Sequence, residues 1–348
     1  MFLFCLLMLC GCAQITGFME NTEVSGREVE SLAAEKEDDT VLLGGMPVGI
    51  YMETDGVLVL DTEKMTGMDG KEYTPAQGVV GSGDYITEVN HQKIEGKKQL
   101  MDLGEHLDGE KVLLTVRREN TILEKKLTPV QISKGNYRLG IWVRDNVQGL
   151  GTITFLTKNN RFAALGHGIH DIDTSTLLTI KRGTLYRTSI QKVQKGSKGN
   201  PGTMEGIIVY NRFHRLGVIE KNTDAGIYGE LNSDRSWIGE EVPIQVAKKE
   251  EIKTGEARIR CYIDGEVKEY TICITQIDKE SDQVNKGMVI QVTDTELLEK
   301  TGGIIQGMSG SPIIQNGKLI GAVTHVFVQD STKGYGIFIE NMLKEEES

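Results

Sequence analysis

The sequence lacks a surplus of positive charge. It contains 39 lysines and arginines against 50 aspartates and glutamates, which gives a net charge of −11. The cations are scattered among acidic residues and do not form a basic stripe. Because binding to a phosphate backbone depends on lysine and arginine, we do not expect nucleic acid to be a partner.

Proline is scarce, with 6 residues, whereas glycine is abundant, with 41. Short apolar runs separated by glycine, aspartate and asparagine recur through the second half of the chain, without long helical patterns between them. Such a pattern is typical of a turn-rich β protein. The sequence therefore predicts a mostly β fold, and the chain is long enough for about two domains.

Cysteine is rare, and its placement does not indicate a disulfide framework. Three of the five cysteines lie in the N-terminal apolar stretch, and Cys261 and Cys273 lie on either side of the turn Asp264-Gly265. A two-residue hairpin at this turn would place Cys261 opposite Lys268, with Cys273 farther along the second strand. We therefore predict two buried free thiols.

The N-terminal apolar run, residues 1–13, is too short to span a bilayer comfortably. It fits the core of a secretion signal, although the basic residues that usually precede such a core are missing. Residues 9–12 also resemble a bacterial lipobox, in which Cys12 would carry lipid. We expect residues 1–20 to be a signal or membrane anchor and the acidic residues 21–40 to be a flexible linker.

Residues 41–130 form the first predicted globular unit. Strands are predicted at 57–60 and after the turn at 83–84, and a hairpin is predicted about Glu119-Asn120. A short amphipathic helix is predicted from the spacing of Leu100, Leu103 and Leu107.

This unit resembles a PDZ domain. The resemblance rests on residues 81–90 and on residues 44–50, Gly-Gly-Met-Pro-Val-Gly-Ile, which are similar to a carboxylate-binding loop. It implies that the loop residues Gly45, Val48, Gly49 and Ile50 bind a peptide C terminus, or a segment of the chain itself, as an added strand.

Residues 131–348 contain the clearest chemical motif, Gly-Met-Ser-Gly-Ser-Pro at 307–312. The hairpin that follows turns at Asn316-Gly317. Together they resemble the nucleophile loop of chymotrypsin-like peptidases, with Ser309 as nucleophile. The glycines would let the N–H groups of Gly307 and Ser309 converge on an oxyanion. A glycine-serine turn before a buried strand is the alternative, and Ser311 is the rival hydroxyl.

A serine nucleophile needs a base within hydrogen-bond reach. His167 lies in a small-residue turn after an apolar strand, and it precedes the serine as in chymotrypsin-like enzymes. His325 is interpreted as a hydrogen-bonded strand histidine near the site. A metal site made by His167 and His170 is a further alternative, but no other ligands with familiar spacing accompany that pair.

A third residue must hold the imidazole in the right tautomer. The residues alone leave three comparable candidates, namely Asp171, Asp173 and Asp294. Asp294 also has a competing role, because it is well placed to cap a short helix over residues 295–300.

The whole pattern resembles the stage IV sporulation protein B family, the PDZ-containing serine peptidases of endospore-forming bacteria. The matching features are the PDZ-like unit, residues 164–167, 200–202 and 301–312, and the strand at 321–328. The resemblance implies a PDZ-like domain followed by a chymotrypsin-like double β-barrel over residues 131–348. It also selects Asp294 as the acid, giving the triad His167, Asp294 and Ser309.

The family resemblance further implies a self-cleaving regulatory peptidase that is exported across the forespore membrane into the intermembrane space. Its protein substrate would be a membrane-bound regulator of an intramembrane protease that processes a sigma-factor precursor. We expect no cofactor and no metal. The rival functions are a catalytically inactive PDZ adaptor and a metal-dependent hydrolase.

Overall fold

The computed structural model describes residues 40–232 and 234–348. The predictions on the N-terminal signal, the lipobox and most of the linker lie outside the described residues. Among the described residues, no helix is both long and apolar enough to cross a membrane.

Strands dominate the described part of the chain, as the composition predicts. In chain order they are β1 (Thr40–Leu43), β2 (Pro47–Thr62), β3 (Met65–Thr66), β4 (Glu72–Tyr73), β5 (Tyr85–Val89), β6 (Gln92–Lys93), β7 (Val112–Arg118), β8 (Thr121–Leu127), β9 (Val130–Ser133), β10 (Asn136–Arg138), β11 (Ile141–Leu156), β12 (Arg161–Ala164), β13 (Ile180–Tyr186), β14 (Thr188–Gln194), β15 (Thr203–Ile208), β16 (Arg215–Thr223), β17 (Gly226–Leu231), β18 (Pro243–Val246), β19 (Gly255–Ile263), β20 (Glu266–Ile277), β21 (Met288–Val292), β22 (Pro312–Gln315), β23 (Lys318–Phe327) and β24 (Asp330–Phe338). The described α-helices are α1 (Lys97–Gly104), α2 (Thr295–Thr301) and α3 (Ile339–Glu347), and a 3-10 turn spans Lys249–Glu251.

Six antiparallel strands close the first barrel in the order β2, β11, β12, β17, β16 and β13, and β13 pairs back to β2. Its interior is filled by apolar side chains that are at most 1% exposed, such as Val48, Ile50, Phe162 and Leu185. Closure pairs the strand edges with one another, so the alternating side chains have one continuous core to fill.

Six further antiparallel strands close the second barrel in the order β19, β20, β21, β24, β23 and β22, which pairs back to β19. Ile259, Ile272, Ile290 and Val323 are fully buried inside it. The two rings confirm the predicted chymotrypsin-like double barrel. Strands β1 and β18 join the rings, because β1 pairs with β11 and with β18, which pairs in parallel with β23.

The PDZ-like unit lies within the first barrel's sequence rather than before it. Its apolar core is made by residues between Val57 and Val143, including Ile86, Leu100 and Leu114. Strand β2 runs from the barrel into this unit, where Val57 pairs with Ile86 of β5, and β11 runs back into the barrel. The packing therefore differs from the predicted division at residues 41 and 130.

The predicted carboxylate-binding loop lies in the first barrel, which corrects its assignment to the PDZ-like unit. Gly45 N–H donates to the carbonyl of Ile153 at 2.8 Å. Val48 pairs with β11, and Gly49 and Ile50 pair with both β11 and β13. A strand paired on both sides has its amides occupied, so these residues do not receive a peptide carboxylate.

Local predictions in the second barrel agree with the structure. Cys261 pairs with Lys268 and Cys273 with Glu256, and both cysteines are free, although Cys273 is half-buried. Two-residue turns at Asp264-Gly265 and Asn316-Gly317 close their hairpins with positive φ at all four positions. This is the backbone that such short hairpin turns require.

Candidate active site

The turn that carries Ser309 lies between α2 and β22, and two glycines shape it. Gly307 has φ +103° and Gly310 has φ +93°, in the region that side chains disfavour. A Cβ on Gly310 would lie 2.0 Å from the carbonyl oxygen of Thr152. The close approach of this turn to the first barrel is therefore possible with glycine alone.

Strand β11 of the first barrel holds the nucleophile turn through three hydrogen bonds. Thr152 N–H donates to the carbonyl of Ser309 at 2.9 Å, and Thr152 Oγ1 donates to the carbonyl of Gly307 at 2.9 Å. Thr154 Oγ1 donates to the carbonyl of Gly310 at 2.8 Å. Because the carbonyls of Gly307, Ser309 and Gly310 are all held by one strand, the orientation of the peptide groups between them is restricted.

The same turn leaves two amides unused. Among the described residues, no hydrogen bond uses the N–H of Gly307 or of Ser309. Unpaired amides on a rigid turn can stabilise a developing oxyanion without reorganising. These are the two amides that the sequence predicts as the oxyanion hole, and that role stays a prediction.

His167 follows β12 after two residues with positive φ, Leu165 at +72° and Gly166 at +68°. Its Nδ1 lies 2.9 Å from the carbonyl oxygen of Gly168. Because a carbonyl can only accept, the proton sits on Nδ1 and Nε2 keeps a free lone pair. Desolvation lowers the pKa of His167, and His170 lowers it further, against the opposing effect of the Gly168 hydrogen bond. The imidazole is thus a neutral base.

His167 and Ser309 line one pocket of about 340 Å³, whose apolar walls include Leu165 and Ile305. The structure therefore brings the predicted nucleophile and base together from different barrels. Ser309 Oγ donates to the carbonyl of Thr324 at 2.8 Å and not to the imidazole. The hydroxyl must leave Thr324 before His167 can take its proton, so this arrangement is a resting one.

His325 belongs to the wall of the same pocket, which corrects its interpretation as a hydrogen-bonded strand histidine. Its ring stacks on His167 with 4.6 Å between ring centroids, and its buried Nδ1 has no hydrogen-bond partner among the described residues. Burial, followed by His167 and Lys286, lowers the pKa of His325 to about 4. It is therefore neutral near pH 7. The sequence signal for the place of His325 in the pocket wall was its position in a strand that follows the nucleophile turn.

Asp294 occupies the N-cap of α2, as its competing role predicts. Its Oδ1 accepts from the N–H of Leu297 at 3.0 Å, and its Oδ2 accepts from the N–H of Thr271 at 3.3 Å. It is not among the residues that line the pocket of His167 and Ser309. Its role as the orienting acid stays a prediction from the family resemblance.

The other two candidate acids bind an arginine, and no hydrogen bond joins either of them to His167 among the described residues. Asp171 and Asp173 both bind the guanidinium of Arg144. Burial alone would raise the pKa of Asp171, but hydrogen bonds from Thr174 N–H, Arg144 and Asp173 N–H bring it below its ordinary value. Both carboxylates are therefore engaged in an ion pair.

His170 also differs from its alternative role as a metal ligand beside His167. The Nδ1 atoms of both histidines face the carbonyl of Gly168, and His170 Nε2 lies 3.7 Å from Asp224. Within residues 40–232 and 234–348, no group of three or more His, Cys, Asp or Glu side chains is arranged to hold a metal ion.

A family model described as SpoIVB peptidase S55 matches residues 135–343, which is more than half of the chain. The chain belongs to this family. The protein is therefore a serine peptidase, and the double barrel with Ser309 and His167 on one pocket is its peptidase unit.

Other similarities are more distant. A putative zinc metalloprotease of Helicobacter pylori (strain J99) is 30% identical over 110 residues, which is 28% of this chain and 31% of that protein. The chain thus spans about a third of that relative's length. Among solved structures, the active form of the Rv3671c protease from M. tuberculosis is 16% identical over 57% of this chain and 72% of that chain, with a TM-score of 0.32. A PDZ domain of an SdrC-like protein from Listeria monocytogenes is 23% identical over 26% of this chain and 87% of that chain, with a TM-score of 0.22.

The PDZ-like unit of this SpoIVB family peptidase has a groove beside its helix, but the loop that lines it is not the one that the sequence predicted. A cavity of about 190 Å³ lies between α1 and the segment from β10 to β11. Its apolar lining comprises Met65, Leu100, Met101, Leu139, Ile141 and Val143. Its apolar lining beside a helix is of the kind that receives an added peptide strand.

The backbone between β10 and β11 is suited to a carboxylate. Gly140 has φ +70°, and a Cβ there would lie 2.9 Å from Pro75 and 3.0 Å from the carbonyl of Glu63. Among the described residues, no hydrogen bond uses the N–H of Leu139 or Gly140. The signal was the sequence Arg-Leu-Gly-Ile at 138–141, which resembles the glycine-containing pattern first assigned to residues 44–50.

Proposed function

We propose that the protein is a regulatory, self-cleaving serine endopeptidase of sporulation. It would be exported across the forespore membrane and cut a membrane-bound regulator of an intramembrane protease, which then processes a sigma-factor precursor. The support for the sporulation role is membership of the SpoIVB peptidase family. The observation that carries the peptidase chemistry is the shared pocket of His167 and Ser309.

The proposed reaction is acyl transfer. Ser309 Oγ leaves the Thr324 carbonyl and attacks the scissile carbonyl, while His167 Nε2 takes its proton. The amides of Gly307 and Ser309 stabilise the oxyanion, and the protonated imidazole gives its proton to the leaving amine. Water then hydrolyses the acyl-enzyme by the same base. Asp294 is proposed to orient the imidazole in the working state.

Labelling with a fluorophosphonate probe tests this proposal, because the probe reacts with an activated serine. We expect the wild type to label and Ser309→Ala to remain unlabelled. Ser311→Ala is the matched control, since its hydroxyl is buried beside the same turn, and it should label like the wild type. Equal labelling of the wild type and Ser309→Ala, or absence of labelling in both, would overturn the proposal.

Self-cleavage is proposed to occur before Val41, because the acidic residues 21–40 have the composition of a linker and linkers are common sites of proteolysis. N-terminal sequencing of the full chain after incubation should give a new N terminus in this segment. Ser309→Ala should keep its original N terminus. Recovery of intact wild-type chain that labels with the probe would contradict self-cleavage while leaving peptidase activity in place.

One observation favours an inactive PDZ adaptor as a second candidate. Ser309 Oγ is hydrogen-bonded to Thr324 and not to His167. In an adaptor, ligands would bind the groove beside Leu139 and Gly140, whether the ligand is a peptide C terminus or a segment of the chain. Fluorescence anisotropy tests the groove by comparing the binding of free-acid and amidated peptides. If the peptides bind and the wild type does not label with the fluorophosphonate probe, the adaptor is favoured.

A further inference from the structure

The loop over residues 209–214, with the strand β15 that leads into it, presents large apolar side chains to solvent. We call four of them the apolar tip. They are Ile207 (56% exposed), Val209 (43%), Tyr210 (46%) and Phe213 (76%). Single exposed apolar residues are ordinary, but four within residues 207–213 indicate an interaction surface.

Hydrogen bonds hold the apolar tip in place. Asn211 Oδ1 accepts from the N–H of Phe213 at 2.9 Å and from the N–H of His214 at 3.1 Å. His214 Nδ1 also lies 2.8 Å from this oxygen. Arg187 N–H donates to the carbonyl of His214 at 2.7 Å and so closes the loop. The exposure of Phe213 is therefore built into the turn.

The tip lies in a basic region of an acidic protein. Residues 209–215 contain two arginines and no aspartate or glutamate, and Arg187 is bonded to the same loop, whereas the whole chain has a net charge of −11. Arg187, Arg212 and Arg215 are exposed, and among the described residues none of them forms an ion pair. The guanidinium of Arg212 lies 4.8 Å from the centre of the Phe213 ring. Arg187 interacts electrostatically with Asp234, whereas Arg212 and Arg215 can meet external negative charge.

We propose that this surface docks on an anionic lipid bilayer. Aromatic and aliphatic side chains flanked by arginines match the interface of such a bilayer, where apolar groups enter and cations meet phosphate. A side chain that is 76% exposed projects from the surface and suits insertion, whereas a peptide partner requires a groove to receive it.

Docking would set the position of the active-site pocket. Tyr210 Oη donates to Oε1 of Gln148 at 2.6 Å, and Gln148 lines the pocket of His167 and Ser309. The pocket would then face polypeptide close to the bilayer surface. The docking itself does not depend on the proposed peptidase function, so it can be tested in an inactive chain.

Quenching by brominated lipids tests insertion at one residue. The full chain carrying Ser309→Ala, with Phe213→Trp added, is mixed with vesicles of brominated phosphatidylglycerol. We expect quenching beyond that of the two native tryptophans, Trp142 and Trp237. Ile122→Trp is the matched control, because Ile122 is 59% exposed in the PDZ-like unit, and it should add none. Equal quenching at 122 and 213 would overturn the proposal.

Co-sedimentation with phosphatidylglycerol vesicles tests the cations. We expect Arg212→Gln with Arg215→Gln to weaken binding about tenfold or more. The control, Lys126→Gln with Lys134→Gln, removes two exposed charges elsewhere and should bind like the parent. Residues 1–39 are present in every variant, so differences report on the loop. The proposal would be overturned if the two arginine substitutions did not weaken binding to anionic vesicles. It would also be overturned if this surface instead mediated self-association or bound an acidic peptide.

Discussion

The two barrels have the same ring of six antiparallel strands but are built from the sequence in different ways. The second barrel uses one uninterrupted stretch, from β19 to β24. In the first barrel, the neighbouring strands β2 and β11 are separated in sequence by the PDZ-like unit. The first barrel supplies His167 and Thr152, whose hydrogen bonds hold the nucleophile turn. The second barrel supplies Ser309 and Asp294.

This difference shows where local reasoning from sequence succeeds. In the second barrel, turns and a helix cap connect elements that are adjacent in sequence, and their signals are local. In the first barrel, the pairing of β2 with β11 closes a loop of about eighty residues, and such pairings leave little local trace. The catalytic pocket depends on both barrels and therefore on both kinds of contact.

The largest effect on activity should come from Asp294→Asn. This substitution tests whether the second barrel supplies the acid that orients His167 as well as the nucleophile. Asparagine caps a helix about as well as aspartate, so the melting temperature should change little. If Asp294 orients His167 in the working state, activity on a peptide substrate should fall by about 10⁴-fold.

The matched variant Asp294→Ala should lose the same activity and also about 1 kcal/mol of stability through the cap. Near-normal activity of Asp294→Asn would mean that the Gly168 carbonyl alone fixes the His167 tautomer, and that Asp294 is a cap and nothing more.

A smaller but still large effect should follow from breaking the contact between the barrels with Gly310→Ala. The new Cβ would lie 2.0 Å from Thr152 O and 2.5 Å from Leu165 N, at a φ of +93°. We expect a loss of about 3 kcal/mol or more in the free energy of unfolding, measured in urea.

Gly317→Ala is the control within the second barrel, since its φ is +75° and nothing lies within 4 Å of the new Cβ. It should cost about 1 kcal/mol, the usual cost of a side chain in the left-handed region. Similar losses for the two glycines would show that the barrels are not tightly packed at Gly310.

The smallest predicted effect concerns His325, the second-barrel side chain that stacks on the first barrel's histidine. Its pKa is about 4 in the fold, against an ordinary value of about 6.5. As pH falls from about 6.5 to about 4, the unfolded chain gains a proton that the folded protein does not. Because the ring is partly exposed and solvent screens its charge, stability should fall by about 1 kcal/mol from this residue.

His325→Phe keeps a ring against His167 and removes the titration. Urea unfolding at pH 7 and at pH 4.5 should show a smaller pH dependence in this variant than in the wild type. An unchanged difference between the two pH values would contradict the burial argument for His325.

Several features were readable from the sequence because their causes are local. The Asn316-Gly317 and Asp264-Gly265 turns, the opposition of Cys261 and Lys268, and the Asp294 cap all depend on residues within a few positions of one another. The Gly-x-Ser-Gly turn at Ser309 was likewise predictable, because its glycines are required by its backbone.

Other features could not be read in this way. Residues 44–50 carry a glycine pattern that suits a carboxylate loop as well as a barrel strand, and pairing with β11 and β13 decides between the two. The resting hydrogen bond of Ser309 to Thr324 and the stacking of His325 on His167 also depend on contacts between residues far apart in sequence.

By itself, the sequence determined a mostly β fold and the glycine-shaped turn of Ser309, because backbone conformation at a turn is set by neighbouring residues, and its motifs carried the resemblance to a serine peptidase family. Tertiary structure alone decided that the PDZ-like unit is inserted into the first barrel and that His167 meets Ser309 across two barrels. Those outcomes require closing long loops around shared cores, and the free energy that selects them comes from packing between distant segments.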